Sequence, residues 1–308
     1  MRLVKIKYSQ VLADLEQRQP TDFNTSFHTA EEAPNLERPS EEPYLFKRWL
    51  SLILRSRGLS GESAQIITFS RAQTRLLLDA AEGSIQIGTV NRIYAEDIEE
   101  EILPKLSSLE MPPTGLFMRL NACSAKDGVT SKPGQSSLHS PEEIILLLVT
   151  SLRARNALSN CLERNGQFEL FFLPFDERMQ SENEYRVFCP PGGENISGIS
   201  QYQWHKPWKY ANRMDAVPIA ATIAACCQTI KLQILQELQQ TSKLDNLLRQ
   251  QGFSFDVLFD EERGTCELVE LNVFCVRSAC GSCLFQWVED REILYGNVPS
   301  KAQFRVTM

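Results

Sequence analysis

No Gly-x-x-x-x-Gly-Lys sequence occurs anywhere in the 308 residues, so phosphates cannot be cradled by the backbone amides of a P-loop. Excess positive charge is missing too. Lys and Arg number 32 against 39 Asp and Glu, a formal charge of −7, which gives no electrostatic footprint for bulk nucleic acid. Long apolar runs are absent: the first ten residues hold no uninterrupted hydrophobic stretch, and Ile144–Val149 and Ala216–Cys227 fall well short of the ~18 apolar residues a spanning helix needs. A soluble cytoplasmic protein, neither secreted nor membrane-embedded, is the expectation. Histidine is scarce, with only three at positions 28, 139 and 205, so a histidine-rich zinc site has no material. The nine cysteines include one Cys-x-x-Cys, Cys280 with Cys283, and no second pair accompanies it. Without a secretory leader they read as reduced thiols, and this pair as small buried side chains in a tight loop. No internal repeat or low-complexity tract is present.

What is present centres on two adjoining β-type runs, Phe253–Phe259 and Cys266–Phe274, joined by the polar turn 260–265 with its glycine at 264. They read as an antiparallel hairpin. Side chains alternate along a strand, so Glu270 and Asn272 share a face. If Asp256 falls opposite them, cross-strand neighbours lie ~5 Å apart at Cβ. Two carboxylates and an amide oxygen would then converge on an otherwise apolar sheet, where unpaired charge is costly. Hard oxygen ligands of that kind suit Mg²⁺ held against nucleotide phosphates. The plainer alternative leaves Glu270 in solvent and Asn272 closing a turn.

An apolar fraction of 43% supports a packed core, in one large domain or two lobes. Residues 20–43 carry four prolines and six acidic residues and read as a loop or disordered linker. Helical periodicity follows, with Leu45, Trp49, Leu52 and Ile53 on one face and Ile66, Phe69, Leu76 and Leu77 recurring in a second helix. Lys47, Arg48, Arg55 and Arg57 decorate the first of these as a solvated basic face. A strand over 115–121 precedes a polar stretch rich in Ser, Gly and Lys up to His139. Ser140 as N-cap, Pro141 at the first helical position and Glu143 at the capping-box position then open a helix. Strands follow at 168–173 and 184–188, the second turned by Pro190–Gly193 into 196–203, and residues 215–247 are mainly helical. The class is α+β, with antiparallel strands dominating the second half.

Several pieces in fixed order carry a resemblance. They are Phe117-Met-Arg-Leu-Asn-Ala-Cys-Ser-Ala-Lys-Asp-Gly128, Pro141–Leu148, Glu184-Tyr-Arg-Val-Phe188, Ile196-Ser-Gly-Ile-Ser-Gln201, Phe253–Val257, Val269–Phe274 and Ser282–Trp287. Together they make residues 110–290 similar to the cell-division-cycle protein 123 family, a branch of the ATP-grasp superfamily. The resemblance implies an ATP-grasp fold of two α+β lobes with largely antiparallel sheets and ATP between them. The expected division is residues 1–43 as N-terminal segment and linker, 44–173 as first lobe and 174–308 as second. It implies ATP and Mg²⁺ as cofactors, with Arg119, Lys126 and Arg186 on the phosphates and Asp256, Glu270 and Asn272 on the metal. It places the adenine at the hinge strand, at Phe172, Leu173 and Pro174. The chain departs from the family at Ala122, where a tryptophan is usual, at Glu270 in place of aspartate, and at Tyr202–His205 after the serine-glutamine.

The resemblance implies two functions. The wider superfamily joins a carboxylate to an amine through an acyl phosphate; small carboxylate and amine substrates would be the partners, with Arg186 balancing charge and Arg277 holding a carboxylate. That ligase is the favoured expectation. The alternative is an assembly chaperone for translation initiation factor 2, acting through its gamma subunit.

Overall fold

The computed structural model describes residues 1–17, 21–34, 36–131, 137–179, 181–192, 195–297 and 302–308. Pro20, Gly193 and part of the polar stretch before His139 lie outside the described residues. Two compact units result: Met1–Gly58 with Arg178–Met308, and Leu59–Glu177.

The first unit begins with β1 (Arg2–Ile6), α1 (Tyr8–Leu15) and α2 (Phe46–Ser56). The second holds β2 (Gln65–Phe69), α3 (Arg71–Ile87), α4 (Ala95–Glu101), α5 (Leu103–Leu106) and β3 (Leu116–Leu120). It closes with α6 (Pro141–Thr150), α7 (Leu152–Glu163) and β4 (Phe168–Pro174). The chain then returns to the first unit as β5 (Glu184–Cys189), β6 (Gly198–Gln201), α8 (Ala216–Gln236) and α9 (Lys243–Gln251). It ends with β7 (Phe253–Asp260), β8 (Thr265–Val273), α10 (Arg291–Leu294) and β9 (Gln303–Thr307).

In the second unit the sheet order is β2-β4-β3, all antiparallel. Leu116, Met118, Leu120, Leu170 and Phe172 line one sheet face and form a core with Leu77, Ile144, Leu148 and Leu158 from α3, α6 and α7. Each such side chain stabilises by roughly 1.5–3 kcal/mol when fully buried. The expected cap of α6 is present, with Ser140 accepting from the Glu143 backbone N–H at 3.3 Å and Pro141 leading the helix. The expected helix across Ile66 and Phe69 is not. Residues 65–69 form β2, because the Ile66-Ile67-Thr68-Phe69 run is β-branched and pairs with β4. Ser70, which accepts from the Gln73 N–H, starts α3 only afterwards, and Gly88 at φ 69° ends it.

The first unit carries a six-stranded sheet in the order β1-β9-β6-β5-β7-β8. β9 runs parallel to both neighbours, and the remaining pairs are antiparallel. α2 and α8 pack against β8. α2 therefore belongs with the C-terminal sheet and not with the lobe that follows it in sequence, and the boundary expected at residue 43 falls after Gly58. Of the expected solvated basic face, Lys47 and Arg55 are exposed, Arg55 pairing with Glu237 at the surface, whereas Arg48 pairs with the buried Asp245 and Arg57 Nε donates to the Leu268 carbonyl at 3.2 Å. α8 is long and apolar enough to cross a membrane by length and composition. Its Ile219, Ile223, Cys227, Ile230 and Ile234 are nonetheless buried along one stripe, as in a core helix laid on a sheet.

The expected linker is also built into this unit. Asp14, buried on α1, accepts from the backbone N–H groups of Thr21, Asp22 and Phe23 at 2.9, 3.1 and 3.2 Å. Residues 24–28 then run along the chain after β8: Phe27 N–H donates to Ser278 and His28 N–H to Val276. Further on, the Tyr44 hydroxyl donates to the Gly252 carbonyl at 2.6 Å. Few large apolar side chains are needed where backbone groups of a neighbouring loop supply the partners.

Candidate functional site

Strand pairing on the first unit's sheet places one row of side chains across five strands. Arg305 on β9 stands opposite Ser200 on β6, Ser200 opposite Arg186 on β5, Arg186 opposite Asp256 on β7, and Asp256 opposite Glu270 on β8. Asn272 lies two residues beyond Glu270 and so on the same face. The register that brings Asp256, Glu270 and Asn272 together on the hairpin is thus the one found. A bulge between Asp256 and Val257 shifts the pairing there, the kind of irregularity that re-aims side chains beside functional sites.

Within this row the charged residues also bond to one another. Asp256, expected on a metal, and Arg186, expected on phosphate, also hold each other. Arg186 Nε donates to Asp256 Oδ1 at 2.8 Å and Nη2 to Oδ2 at 2.7 Å, a bidentate fork between two buried groups. Asn272 Nδ2 also donates to Asp256 Oδ2 at 3.1 Å, which turns the amide oxygen away from Asp256. Burial opposes the charge on Arg186, but the adjacent Asp256 carboxylate overcomes it, and the guanidinium pKa lies well above its usual value. On Asp256 burial pushes the pKa up, Arg186 pulls it down, and the nearby Glu270 adds to the upward push. The remaining contacts of Arg186 were not legible from local sequence: Nη1 donates to the Gly281 carbonyl at 2.8 Å, and the guanidinium lies 5.1 Å from the Tyr202 ring centroid.

A hard divalent cation fits part of this set. Glu270 and Asn272 share the strand face that carries Asp256, and the Asp256 oxygens, though bonded to Arg186 and Asn272, keep further lone pairs. Among the described residues no three His, Cys, Asp or Glu side chains gather as metal ligands, so a cation at this hairpin would take further ligands from water or a bound anion.

The chain after β8 crosses the same face. Leu284 N–H donates to Ser200 Oγ at 3.1 Å, and the Leu284 carbonyl accepts from Arg305 Nη1 at 3.0 Å. Arg305 also grips Asp290 through two 2.6 Å bonds. Cys275, Cys280 and Cys283 are buried free thiols, and Cys280 Sγ meets Ser254 Oγ at 3.1 Å. Arg277, expected to hold a substrate carboxylate, donates through Nη1 to the Leu36 carbonyl at 2.8 Å. It pins the N-terminal segment.

In the second unit Arg119 sits buried on β3 and donates to Ser124 Oγ at 2.8 Å. Pairing sets Arg119 opposite Phe171 and Phe117 opposite Leu173. Arg119, Phe171 and Leu173 therefore share the sheet face away from the helical core. Phe172, grouped with Leu173 as an adenine contact, belongs to the opposite face and is fully buried in the core. Pro174 pairs with Leu116 at the strand end, and Lys126 is exposed. Phe171 is as fully buried as Phe172.

No protein-family model and no curated protein matches the sequence. Solved structures do. The chain is similar to Cdc123 from Schizosaccharomyces pombe, with a TM-score of 0.57 and 20% identity over 89% of this chain and 100% of that one. A C-terminally truncated form of the same yeast protein matches with a TM-score of 0.55 and 18% identity, over 99% of each chain. A RimK domain ATP-grasp protein from Sphaerobacter thermophilus covers 97% of this chain and 78% of its own at 10% identity, but its TM-score of 0.32 carries no argument. The fold is that of the Cdc123 structures, as the sequence motifs imply.

Proposed function

We propose that this protein binds Mg-ATP and uses it in protein assembly, without ligation. The nucleotide part of the reading is supported by the charged row on the first unit's sheet. Glu270 and Asn272 would hold the cation, and the cation would neutralise phosphate charge. Arg186, fixed by Asp256, keeps two N–H groups beyond those used on Asp256 and Gly281, enough for an anion.

One observation favours assembly over ligation: the Arg277 guanidinium bonds to the Leu36 carbonyl. The ligase reading needs an open acceptor pocket walled by residues 275–283, with Arg277 pointing into it. Here Cys275, Ser278, Cys280, Ser282 and Cys283 are buried, and the N-terminal segment bonds along the same residues. The partner expected from the resemblance is the gamma subunit of translation initiation factor 2. The test is titration calorimetry with Mg-ATP, followed by co-elution with that subunit and an assay for ADP release with carboxylate and amine mixtures. Nucleotide-dependent co-elution without acceptor-stimulated ADP release is the expected result. Acceptor-stimulated release that collapses in Arg277→Ala would restore the ligase.

A further inference from the structure

Three of the four non-glycine residues with positive φ in the described chain meet at one seam. Asn24 (φ 49°), Phe27 (φ 53°) and Cys283 (φ 52°) lie where residues 24–28 run along residues 276–287. Left-handed backbone is strained at Phe27 and Cys283 and persists only where its surroundings hold it, whereas asparagine at position 24 adopts it more readily. What holds it here is explicit. Asn24 N–H donates to the Cys283 carbonyl at 2.6 Å, and Cys283 N–H donates back to Asn24 Oδ1 at 3.2 Å. Ser282 N–H donates to the Thr25 carbonyl at 3.1 Å, and Trp287 N–H to Thr25 Oγ1 at 3.0 Å. The approach at Gly281 is so close that a Cβ there would lie 2.2 Å from Asn24 Oδ1. A Cβ there would force the Asn24 side chain off its present position.

Gly281 is also the residue whose carbonyl takes Arg186 Nη1. The segment from residue 24 therefore reaches the charged row through two links, Asn24 to Cys283 and Gly281, and Gly281 to Arg186. Asp256 fixes one edge of the guanidinium and the Gly281 carbonyl fixes the other. A guanidinium immobilised on both edges presents its remaining N–H groups in one orientation, which lowers the ordering cost of binding an anion.

We infer that Asn24 is a positioning residue for Arg186, acting through the Cys283–Gly281 backbone so that Arg186 is preorganised for an anionic ligand. This rests on the proposed nucleotide site for the ligand, although not for the positioning itself.

The experiment uses the full chain and two readouts. Hydrogen exchange at the Arg186 Nε–H, followed by NMR, reports how firmly the guanidinium is held whether or not any ligand binds. ATP affinity in the presence of Mg²⁺ reports the consequence. Asn24→Ala is expected to speed Nε–H exchange about tenfold and to weaken ATP binding by a similar factor. Asn24→Asp, which keeps an acceptor for Cys283 N–H and tolerates the left-handed backbone, is expected to restore both. Should Asn24→Ala fail to fold, Thr25→Val removes the acceptor for Trp287 N–H in the same seam and is expected to speed the exchange as well. Unchanged Arg186 exchange in folded Asn24→Ala, or failure of Asn24→Asp to restore it, overturns the inference. Absence of ATP binding by the wild-type protein, with exchange responding as expected, removes the nucleotide reading and leaves the positioning intact.

Discussion

Arg186 and Asp256, on neighbouring strands β5 and β7, hold each other by two parallel hydrogen bonds of 2.8 and 2.7 Å inside the sheet. The pair organises everything near it. Asn272 leans on the same carboxylate, the Gly281 carbonyl caps the guanidinium from the other side, and Tyr202 faces its cationic plane. Buried pairs of this type are weak sources of net stability but costly to break, because a lone charge is left without solvent.

Asp256→Asn should therefore destabilise the protein by about 3–5 kcal/mol. Urea unfolding followed by circular dichroism measures this. A double change, Arg186→Met with Asp256→Leu, should recover most of the loss because no unpaired charge remains. Equal loss in the single and double variants would show that the pair does not govern local stability.

Cation binding is expected to depend on Glu270 and Asn272. In a thermal melt, wild-type protein should gain a few degrees from Mg-ATP at concentrations on the order of 100 Kd, equivalent to about 2.7 kcal/mol. Glu270→Gln with Asn272→Ala should show no Mg²⁺-dependent gain over its own ligand-free melt, which is itself lowered because Asn272 no longer donates to Asp256. An undiminished shift in that variant would move the cation elsewhere.

The Cys283 thiol, wholly buried, has its pKa pushed by burial from 9.0 up to about 12, with Arg186 pulling the other way. At pH 8 the thiolate fraction is then on the order of one in ten thousand. Iodoacetamide should leave Cys283 unmodified in the folded protein and label it after unfolding, as peptide mass mapping will read. The sign for stability follows from the same shift. Because the folded pKa lies above the unfolded one, the contribution is complete below pH 9 and is lost as pH rises toward about 12. Rapid labelling of the folded protein at pH 8 would contradict this burial.

Arg277→Ala removes the donor to the Leu36 carbonyl. Limited proteolysis should then cut within residues 29–37 several times faster than in wild type, with ATP affinity unchanged. An unaltered cleavage rate would mean that the N-terminal segment is held by its other bonds alone.

Much of this architecture could be read from local pattern. Alternation along Cys266–Phe274 put Glu270 and Asn272 on one face before any pairing was known, because the strand period is two. Ser140, Pro141 and Glu143 marked the start of α6, because helix ends need side-chain acceptors. The motif order in residues 110–290 pointed to the fold that the solved Cdc123 structures share. Local pattern misread residues 65–69 as helix, since a short apolar run satisfies either period until a pairing strand decides it.

Partners distant in sequence were decided only by the tertiary structure. Arg186 meets Asp256 across 70 residues, Asn24 meets Cys283 across 259, and Arg277 meets Leu36 across 241. Residue types told that an arginine and two carboxylates were available on the hairpin and its neighbours, but not that one carboxylate would be spent on the arginine. That outcome depends on β5 lying beside β7, and on an N-terminal segment of low hydrophobicity finding backbone partners along residues 276–287. Periodicity assigns a side chain to a face. Strand order and chain return determine what stands opposite it, and those are settled by packing of the whole unit.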